Sequence, residues 1–313
     1  MDDWKTELAD ITLLRKQGNL LEVERRCLAT LAVGEENGAP YVILSAALPL
    51  AWSRAMRGRL AEAETDLAAV IAEHGPTLNP EFNLAWLAAS ELGHIQVRRG
   101  RYADGIAMAR WVAEECERRW GVESETALSA RARLGICLVE AKQPADAVSV
   151  LTAVLAAELS ANSRAGWAKN NIMEARHNLA EARLELGELD EAEPELRAVM
   201  TDYDRFHRGG PIAVAGVRFS LAKIAALRGR HEEAIDGFST VLAEARAIFG
   251  EDGPWTLETR FELAKLAART GHTAAALSQH QAVLADRIRV LGPDHPDTTA
   301  SREAVVQCGL VTE

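Results

Sequence analysis

The sequence is poor in aromatic residues and in cysteine. Phe, Trp and Tyr make up 5% of its 313 residues. Its four cysteines lie far apart and form no C-x-x-C pair: Cys27, Cys116, Cys137 and Cys308. Such spacing is typical of neither a zinc site nor a dense disulfide framework. We therefore expect four reduced, buried thiols in a cytoplasmic protein, with no metal and no cofactor.

Long apolar runs are also missing. No uncharged stretch approaches the roughly 18 residues that a membrane-spanning helix needs. The first ten residues, MDDWKTELAD, are acidic and lack the apolar segment of a secretory signal. The sequence therefore predicts a soluble chain with no membrane partner.

Positive charge and catalytic motifs are scarce as well. The formal net charge is −11, whereas binding to nucleic-acid phosphates draws on Lys and Arg. The sequence contains no phosphate-binding G-x-x-x-x-G-K-[ST] or G-x-G-x-x-G, no H-E-x-x-H and no G-x-S-x-G. We expect no nucleic-acid partner and no enzymatic activity.

Helix-forming residues and an internal repeat are what the sequence does contain. Ala, Leu, Glu and Arg dominate, and all four favour helices. A series of turn positions recurs, mostly every 42 residues: Gly18, Gly58, Gly100, Lys142, Gly187, Gly229 and Gly271. One spacing is 45, which we assign to an insertion near residues 160–169. Five residues after each turn stands a small or apolar residue: Val23, Ala63, Gly105, Ala147, Ala192, Ala234 and Ala276.

Each repeat is predicted to form a helix, a tight turn and a second helix. Glycine suits the turn because it adopts positive φ easily after a helix end, and a small residue lets the paired helices approach closely. The expected helices are 3–17, 20–33, 41–57, 60–73, 81–99, 102–119, 123–141, 144–160, 168–186, 189–206, 211–228, 231–249, 255–270, 273–291 and 296–309.

These helices predict an all-α fold, a right-handed α-solenoid of about seven helix-turn-helix repeats with a C-terminal capping helix. Solenoids bury their apolar faces between neighbouring repeats and close their ends with atypical ones. We expect a single domain over 1–313, made of an N-terminal cap repeat (1–40), six repeats (41–292) and the capping helix (293–313).

The repeat resembles the tetratricopeptide repeat. The residues that carry the resemblance are Leu134-Gly135 or Leu263-Ala264, then the turn Gly271, then Ala276. The 42-residue period, the linker GPDHPDT and the segment 176–180, RHNLA, are similar to the kinesin-light-chain-like branch of that family. This resemblance implies a concave groove, lined by the first helix of each repeat, that binds a peptide or protein segment.

The resemblance also implies which residues face that groove, since four positions of each first helix share one face. The expected binding residues are Trp52, Glu91, His94, Arg98, Arg133, Glu140, Glu174, Asn178, Glu181, Ser220, Lys223, Glu258, Glu262 and Lys265. The central part of this stripe is rather acidic, which favours a partner segment that carries Arg or Lys. With equal weight, these carboxylates are simply the solvated face of long helices.

Three functions are compatible with these features. We expect a non-catalytic scaffold that binds a protein or peptide in the groove. The second hypothesis is a peptide-sensing regulatory protein that acts with a separate effector subunit. The third is an enzyme or small-ligand pocket inside the superhelix, with His94, Glu91 and Arg133 as its polar cluster. The sequence is compatible with a homo-oligomer in each case.

A column of arginines recurs at the fourth position of the first helices: Arg131, Arg176, Arg218, Arg260 and Arg302. It could form a positive ladder for an anionic ligand. We favour a structural role, in which the stem packs between repeats and the head pairs with a nearby carboxylate such as Glu174, Glu258 or Glu303. A residue that every repeat inherits usually serves stacking.

Overall fold

The computed structural model describes residues 3–74, 84–160, 166–206 and 210–312, and every regular element in these ranges is an α-helix. The expected all-α solenoid fold is therefore confirmed. The helices are α1 (Asp3–Lys16), α2 (Leu20–Glu36), α3 (Pro40–Met56), α4 (Leu60–His74), α5 (Leu84–Arg98), α6 (Tyr102–Trp120), α7 (Glu125–Glu140), α8 (Pro144–Ser160), α9 (Gly166–Glu185), α10 (Leu189–Phe206), α11 (Pro211–Leu227), α12 (His231–Phe249), α13 (Pro254–Arg269), α14 (Thr273–Leu291) and α15 (Pro296–Thr312).

The helix ends follow from local capping chemistry. The Asn19 side chain accepts a hydrogen bond from the Glu22 backbone N–H at 3.4 Å and begins α2. Ser124 does the same for α7, with Ala127 N–H at 3.2 Å. Such caps satisfy the first N–H groups of a helix, which have no partner within it. The expected start of a helix at 81 and the middle of the insertion, 161–165, lie outside the described residues.

The residues at the seven turn positions adopt the left-handed backbone conformation that their glycines predicted. The six turn glycines have φ between 74° and 86°. Lys142 occupies the same turn with φ of 58° and is the one non-glycine residue with positive φ in the described part of the chain. Because a Cβ clashes with the backbone in this region, Lys142 stores conformational strain.

The small-residue column marks where paired helices cross closely. At the crossing of α5 and α6, a Cβ added to Gly105 would lie 2.4 Å from the Gly93 carbonyl oxygen and 2.6 Å from Val97 Cγ2. Cβ atoms do not tolerate such distances, so this crossing requires glycine.

By their internal contacts the residues form two compact units. Unit 1 comprises Met1–Ala55 and Leu60–Gly210, and unit 2 comprises Met56–Arg59 and Pro211–Glu313. Within each, consecutive helices such as α5 with α6 and α11 with α12 pack on one another, and neighbouring first helices also touch, such as α5 with α7 and α11 with α13. The single-domain organisation stays a prediction.

Three arginines of the column pair with an acid of their own repeat. Arg176, Arg218 and Arg260 each contact the acidic residue 26 positions later on the second helix. The distances are 2.7 Å to Asp202, 2.5 Å to Glu244 and 2.8 Å to Asp286. Arg131 and Arg302 differ, since Arg131 lies 3.4 Å from Glu117 and Arg302 donates to the Pro293 carbonyl at 3.1 Å.

The column therefore has a structural role, because its members are engaged in these intramolecular contacts. The partners that we expected from sequence were wrong for a geometric reason. Four of the five arginine heads extend to a carboxylate on an adjoining second helix. Glu258, in contrast, accepts a hydrogen bond from the second-helix residue Arg287.

All four cysteines are buried free thiols. In the ranges that the structure describes, no helix combines the length and apolar character that crossing a membrane would need.

Candidate functional site

A cavity of about 300 Å³ opens among the first helices of unit 1. Five of them supply lining residues: α1, α3, α5, α7 and α9. The side chains that give the cavity its chemistry are Arg15, Trp52, Trp86, Glu91, Arg133 and Glu174. Apolar residues such as Leu48, Leu87 and Ile136 complete the wall. The cavity therefore combines two arginines, two carboxylates and two indole rings in one enclosure.

The structure brings four of the expected groove residues to this cavity, namely Trp52, Glu91, Arg133 and Glu174. The other expected residues are not among those that line it. Asn178 is 9% exposed, and its side-chain amide donates to the Glu174 carbonyl at 2.7 Å within its own helix. Because that donor is in use, Asn178 has less capacity to bind a ligand backbone than the resemblance implied.

His94 links the cavity to a second carboxylate behind it. Arg133 Nη1 lies 3.3 Å from His94 Nδ1, and His94 Nε2 lies 3.0 Å from Glu140 Oε2. Since arginine can only donate, His94 Nδ1 is the acceptor and the ring proton sits on Nε2, facing Glu140. The Nε2–Oε2 contact is close but poorly aligned as a hydrogen bond, so the attraction is mainly electrostatic.

These groups stabilise one another in their charged forms. Burial alone raises the pKa of Glu140, but His94, Arg98 and Arg133 outweigh it and lower the pKa overall. Burial likewise lowers the pKa of Arg133, yet the carboxylates of Glu91 and Glu174 reverse the effect and raise it. Opposite charges at short range produce both shifts.

His94, Glu91 and Arg133 do form a cluster, as the pocket hypothesis expected. Arg133 Nη2 lies 3.7 Å from Glu91 Oε2, and His94 Nδ1 lies 4.0 Å from Glu91 Oε1. Arg98 is half-buried and acts on Glu140 electrostatically. Further along the stripe, Glu181 lies 3.9 Å from His177 Nε2. Glu91 thus lies beside an arginine of the chain itself, and Glu140 and Glu181 each lie beside a histidine.

Arg15 is the cavity residue that the sequence reasoning missed. Its guanidinium carbon lies 5.3 Å from the centre of the Trp52 ring, a cation–π contact. It forms no ion pair with any residue in the described ranges. Burial lowers its pKa, Glu91 and Glu174 raise it, and nearby Arg133 lowers it. The available signal was helical spacing: Arg15 stands three residues after Thr12, the residue of α1 that corresponds to Trp52 in α3. Residues three apart share a helix face.

In unit 2 the expected groove residues are occupied by internal contacts. Glu258 accepts a hydrogen bond from Arg287, whose own exposure is 1%. Lys265 Nζ lies 2.7 Å from Glu262 Oε1 and 5.5 Å from the Phe261 ring centre. Lys223 is half-buried. These side chains stabilise the stack in unit 2.

Ser220 requires a correction. It was expected to face the groove, but its exposure is 0% and its hydroxyl donates to the Gly216 carbonyl at 3.2 Å. The reason is the composition of α11, PIAVAGVRFSLAKIAAL, which carries buried residues around its whole circumference. A helix that is apolar on all sides is buried on all sides.

The titratable groups of the cavity are suited to binding. Cys116 lines the wall, and burial raises the pKa of its thiol to about 11, so the nucleophilic thiolate is scarce at neutral pH. Across the described residues, no group of three or more His, Cys, Asp or Glu is placed to hold a metal ion.

Comparison with known proteins supports the repeat assignment. One sequence model of the tetratricopeptide repeat family matches residues 213–287, and another matches residues 44–65 and 173–198. These segments fall on helical hairpins of both units. No curated protein matches this chain in sequence.

Several solved structures share the fold at low sequence identity. NprR in complex with its cognate peptide NprX has a TM-score of 0.60 and 15% identity, covering 97% of this chain and 89% of that one. A Rap protein complexed with Competence and Sporulation Factor has a TM-score of 0.55 and 10% identity, covering 99% and 98%. BtubC (BKLC) from P. vanneervenii has 0.51 and 14%, covering 76% and 92%.

At such identities the likeness concerns the fold alone, and the repeat itself carries the assignment. Hairpins with turns 42 residues apart, left-handed turn residues and buried small residues recur through the described chain. With the matched segments, they show that this chain contains tetratricopeptide repeats in both units.

Proposed function

We propose that this chain is a non-catalytic scaffold that binds a peptide segment of a partner protein in the cavity of unit 1. The observation that carries the proposal is that five successive first helices contribute to one enclosure. A segment lying across them would contact a new helix every few residues, which is how helical repeats bind extended partners.

The wall chemistry supports a peptide as the ligand. Trp52 and Trp86 offer the large, rigid surfaces that concentrate binding energy at interfaces. The volume of about 300 Å³ is at the lower end of small-ligand sites. It suits one or two side chains of a segment whose remainder lies outside the cavity.

The polar groups favour binding over catalysis. Both ring nitrogens of His94 face charged neighbours, Arg133 and Glu140. The Cys116 thiol stays protonated. A cysteine nucleophile needs an accessible thiolate, which this buried thiol does not supply at neutral pH. This supports the scaffold over the enzyme hypothesis.

A peptide-sensing regulatory protein with a separate effector subunit is the second candidate. Two of the structures that share the fold over nearly the whole chain are described as complexes with a peptide, NprX, and with Competence and Sporulation Factor. In this case the peptide would be a diffusible signal, and its binding would change the affinity for the effector.

The proposal also includes a cytoplasmic location, with neither nucleic acid nor membrane as partner, and it is compatible with a homo-oligomer. The free, buried thiols are in keeping with a reducing compartment. The net charge of −11 disfavours a phosphate backbone as ligand.

Peptide selection against the purified chain tests the proposal. A random peptide library displayed on phage is selected on the immobilised protein, and the enriched peptides are measured by calorimetry. Ser129→Trp places a large ring in the cavity, because Ser129 lines it. Thr152→Trp adds the same ring at an exposed position of α8 and serves as the matched control.

We expect enriched peptides to lose at least about tenfold in affinity for Ser129→Trp, equivalent to about 1.4 kcal/mol, and to bind Thr152→Trp unchanged. Circular dichroism checks that both variants are folded. If no peptide is enriched, or if both variants bind as the parent does, the cavity is not a peptide site.

A further inference from the structure

We infer that the last three helices of unit 2, α13, α14 and α15, are held by an acid-sensitive packing contact, and that protonation of His280 loosens it. The inference does not rest on the proposed function, because every residue that carries it belongs to unit 2.

His280 is a buried base with one unpartnered ring nitrogen. It lies on α14, its exposure is 1%, and its Nδ1 forms no hydrogen bond with any described residue. The ring packs edge-on against Phe261 of α13, with the ring centres 5.2 Å apart. An imidazolium would need acceptors for both of its nitrogens, and a buried donor without an acceptor is costly. The packing therefore favours the neutral ring.

The charges around this ring are positive. Arg287 and Lys265 also lie over Phe261, with the guanidinium carbon 4.6 Å and the Lys265 Nζ 5.5 Å from the ring centre. Three basic side chains thus gather round one phenyl ring. Burial lowers the pKa of His280, and the charges of Lys265 and Arg287 lower it further.

The carboxylates of α13 near this cluster are engaged with the other two bases. Glu262 accepts a hydrogen bond from Lys265 Nζ at 2.7 Å, and Glu258 accepts one from Arg287. Among the described residues, the charged groups that act on His280 are the two cations, and no carboxylate does. A proton on His280 would therefore meet repulsion without a compensating ion pair.

Arg287 transmits this repulsion to α15. It is 1% exposed and joins three helices, because it donates to Glu258 of α13 and, on α15, to the Asp297 carbonyl at 3.0 Å and Ser301 Oγ at 2.9 Å. The contribution of α15 to the cluster is thus two uncharged acceptors. His280 and Arg287 lie seven residues apart on α14 and share one face. A charge on His280 would repel the residue that holds the three helices together.

The pH range follows from the two states of the ring. In a locally opened chain His280 takes up a proton near its ordinary pKa of about 6.5, whereas in the packed helices it stays neutral to lower pH. The opened form therefore binds the proton more strongly, and stability that is present above about pH 6.5 is lost as the pH falls below it. Opening would also separate Glu258 from Arg287, so a groove position that is occupied at neutral pH would become available in acid.

Hydrogen exchange tests the inference, at roughly one pH unit above and one below the ordinary histidine pKa of about 6.5. Rates are corrected for the intrinsic pH dependence of amide exchange, and α5–α8 of unit 1 serve as the reference. His280→Phe keeps a ring against Phe261 but cannot take up a proton, and Lys265→Gln removes one of the two cations. His272→Gln is the matched control, because His272 is exposed and contacts the Thr270 hydroxyl at 3.1 Å.

We expect the opening of α13–α15 in the parent chain to increase by up to about tenfold from the higher to the lower pH. This is the ratio for one group of pKa about 6.5 that is protonated in the opened form alone. His280→Phe should abolish the increase, Lys265→Gln should reduce it, and His272→Gln should retain it.

Two results would overturn the inference: no increase in the parent chain, or the same increase in His280→Phe as in the parent. An equal increase in α5–α8 would also contradict it, because the contact is local to unit 2. If His280→Phe does not fold, Lys265→Gln decides, since an undiminished increase in that variant is incompatible with the cation cluster.

Discussion

Unit 1 and unit 2 are built from the same repeat, but the charged residues on their first helices differ in their partners. In unit 2, the charged residues at the groove positions are neutralised from within, with Glu258 held by Arg287 and Glu262 by Lys265. In unit 1, the equivalent face opens into a cavity, and its Arg15 guanidinium has no carboxylate partner among the described residues.

This difference distinguishes the positions that serve packing from the positions that line the cavity. Positions that recur along the chain, such as the turn residues and the paired arginines, serve the packing in both units. The cavity depends on residues that break the columns, such as Arg15, Trp52 and Arg133. Departure from the repeat is therefore the better guide to function in this chain.

The largest contrast is expected between two arginines. Arg287 is 1% exposed, donates to Glu258, to Ser301 Oγ at 2.9 Å and to the Asp297 carbonyl at 3.0 Å. Arg287→Ala should destabilise unit 2 by about 3 kcal/mol, because it leaves these acceptors unpaired in the interior. Arg15→Ala should change stability by less than about 0.5 kcal/mol.

Urea unfolding followed by circular dichroism measures both variants, and hydrogen exchange reports which helices lose protection. We expect the loss in Arg287→Ala to appear in α13–α15. Equal destabilisation by the two substitutions would mean that Arg15 is structural too, and the contrast between the units would disappear.

A smaller contrast concerns the crossing of paired helices. Unit 2 has alanine in the small-residue column, at Ala234 and Ala276, but unit 1 has Gly105 where α5 crosses α6. Gly105→Ala should cost about 2 kcal/mol, because its Cβ would meet the Gly93 carbonyl oxygen.

Gly309→Ala in α15 is the matched control, since its Cβ would meet nothing within 4 Å. It should leave stability unchanged or raise it by up to about 1 kcal/mol, because alanine favours a helix interior. Thermal unfolding of the two variants compares them, and an unaffected Gly105→Ala would show that the crossing can relax.

The smallest effect is expected at a turn. Unit 2 has glycine at both of its complete turns, Gly229 and Gly271, while unit 1 has Lys142 with φ of 58°. Lys142→Gly should stabilise the chain by about 1 kcal/mol through relief of left-handed strain. Lys142→Ala keeps that strain and loses only the 3.6 Å contact with Glu185, so its melting temperature should hardly change. Similar gains in both variants would exclude backbone strain as the cause.

Local chemistry made the helices and turns predictable. Most predicted helix ends lie within a few residues of the observed ones, because glycine turns, caps and apolar periodicity act over short distances. The buried column of small residues followed from the same periodicity, as with Ala147 and Ala192.

The site was less predictable because it depends on contacts between helices distant in sequence. Arg15 was missed because α1 departs from the repeat columns, beginning with Asp10 where later repeats have leucine. Ser220 was misplaced because we expected one face of every first helix to line an open groove. The helix α11 instead carries buried residues around its whole circumference. Which carboxylates have a partner within the chain, as Glu140 has in His94, could only be read from distances.

The pairing of Arg176, Arg218 and Arg260 with an acid 26 residues later also bears on how such a chain can grow. Both partners lie within one repeat length, so duplicating or deleting a whole repeat copies or removes the pair together and leaves no orphaned charge. The extra residues near 160–169 fall before Arg176, and the interval from Arg176 to Asp202 is intact. Insertions between pairs preserve electrostatic balance, whereas insertions within a pair would disrupt it, which makes the linkers the permissive sites for evolutionary change in length.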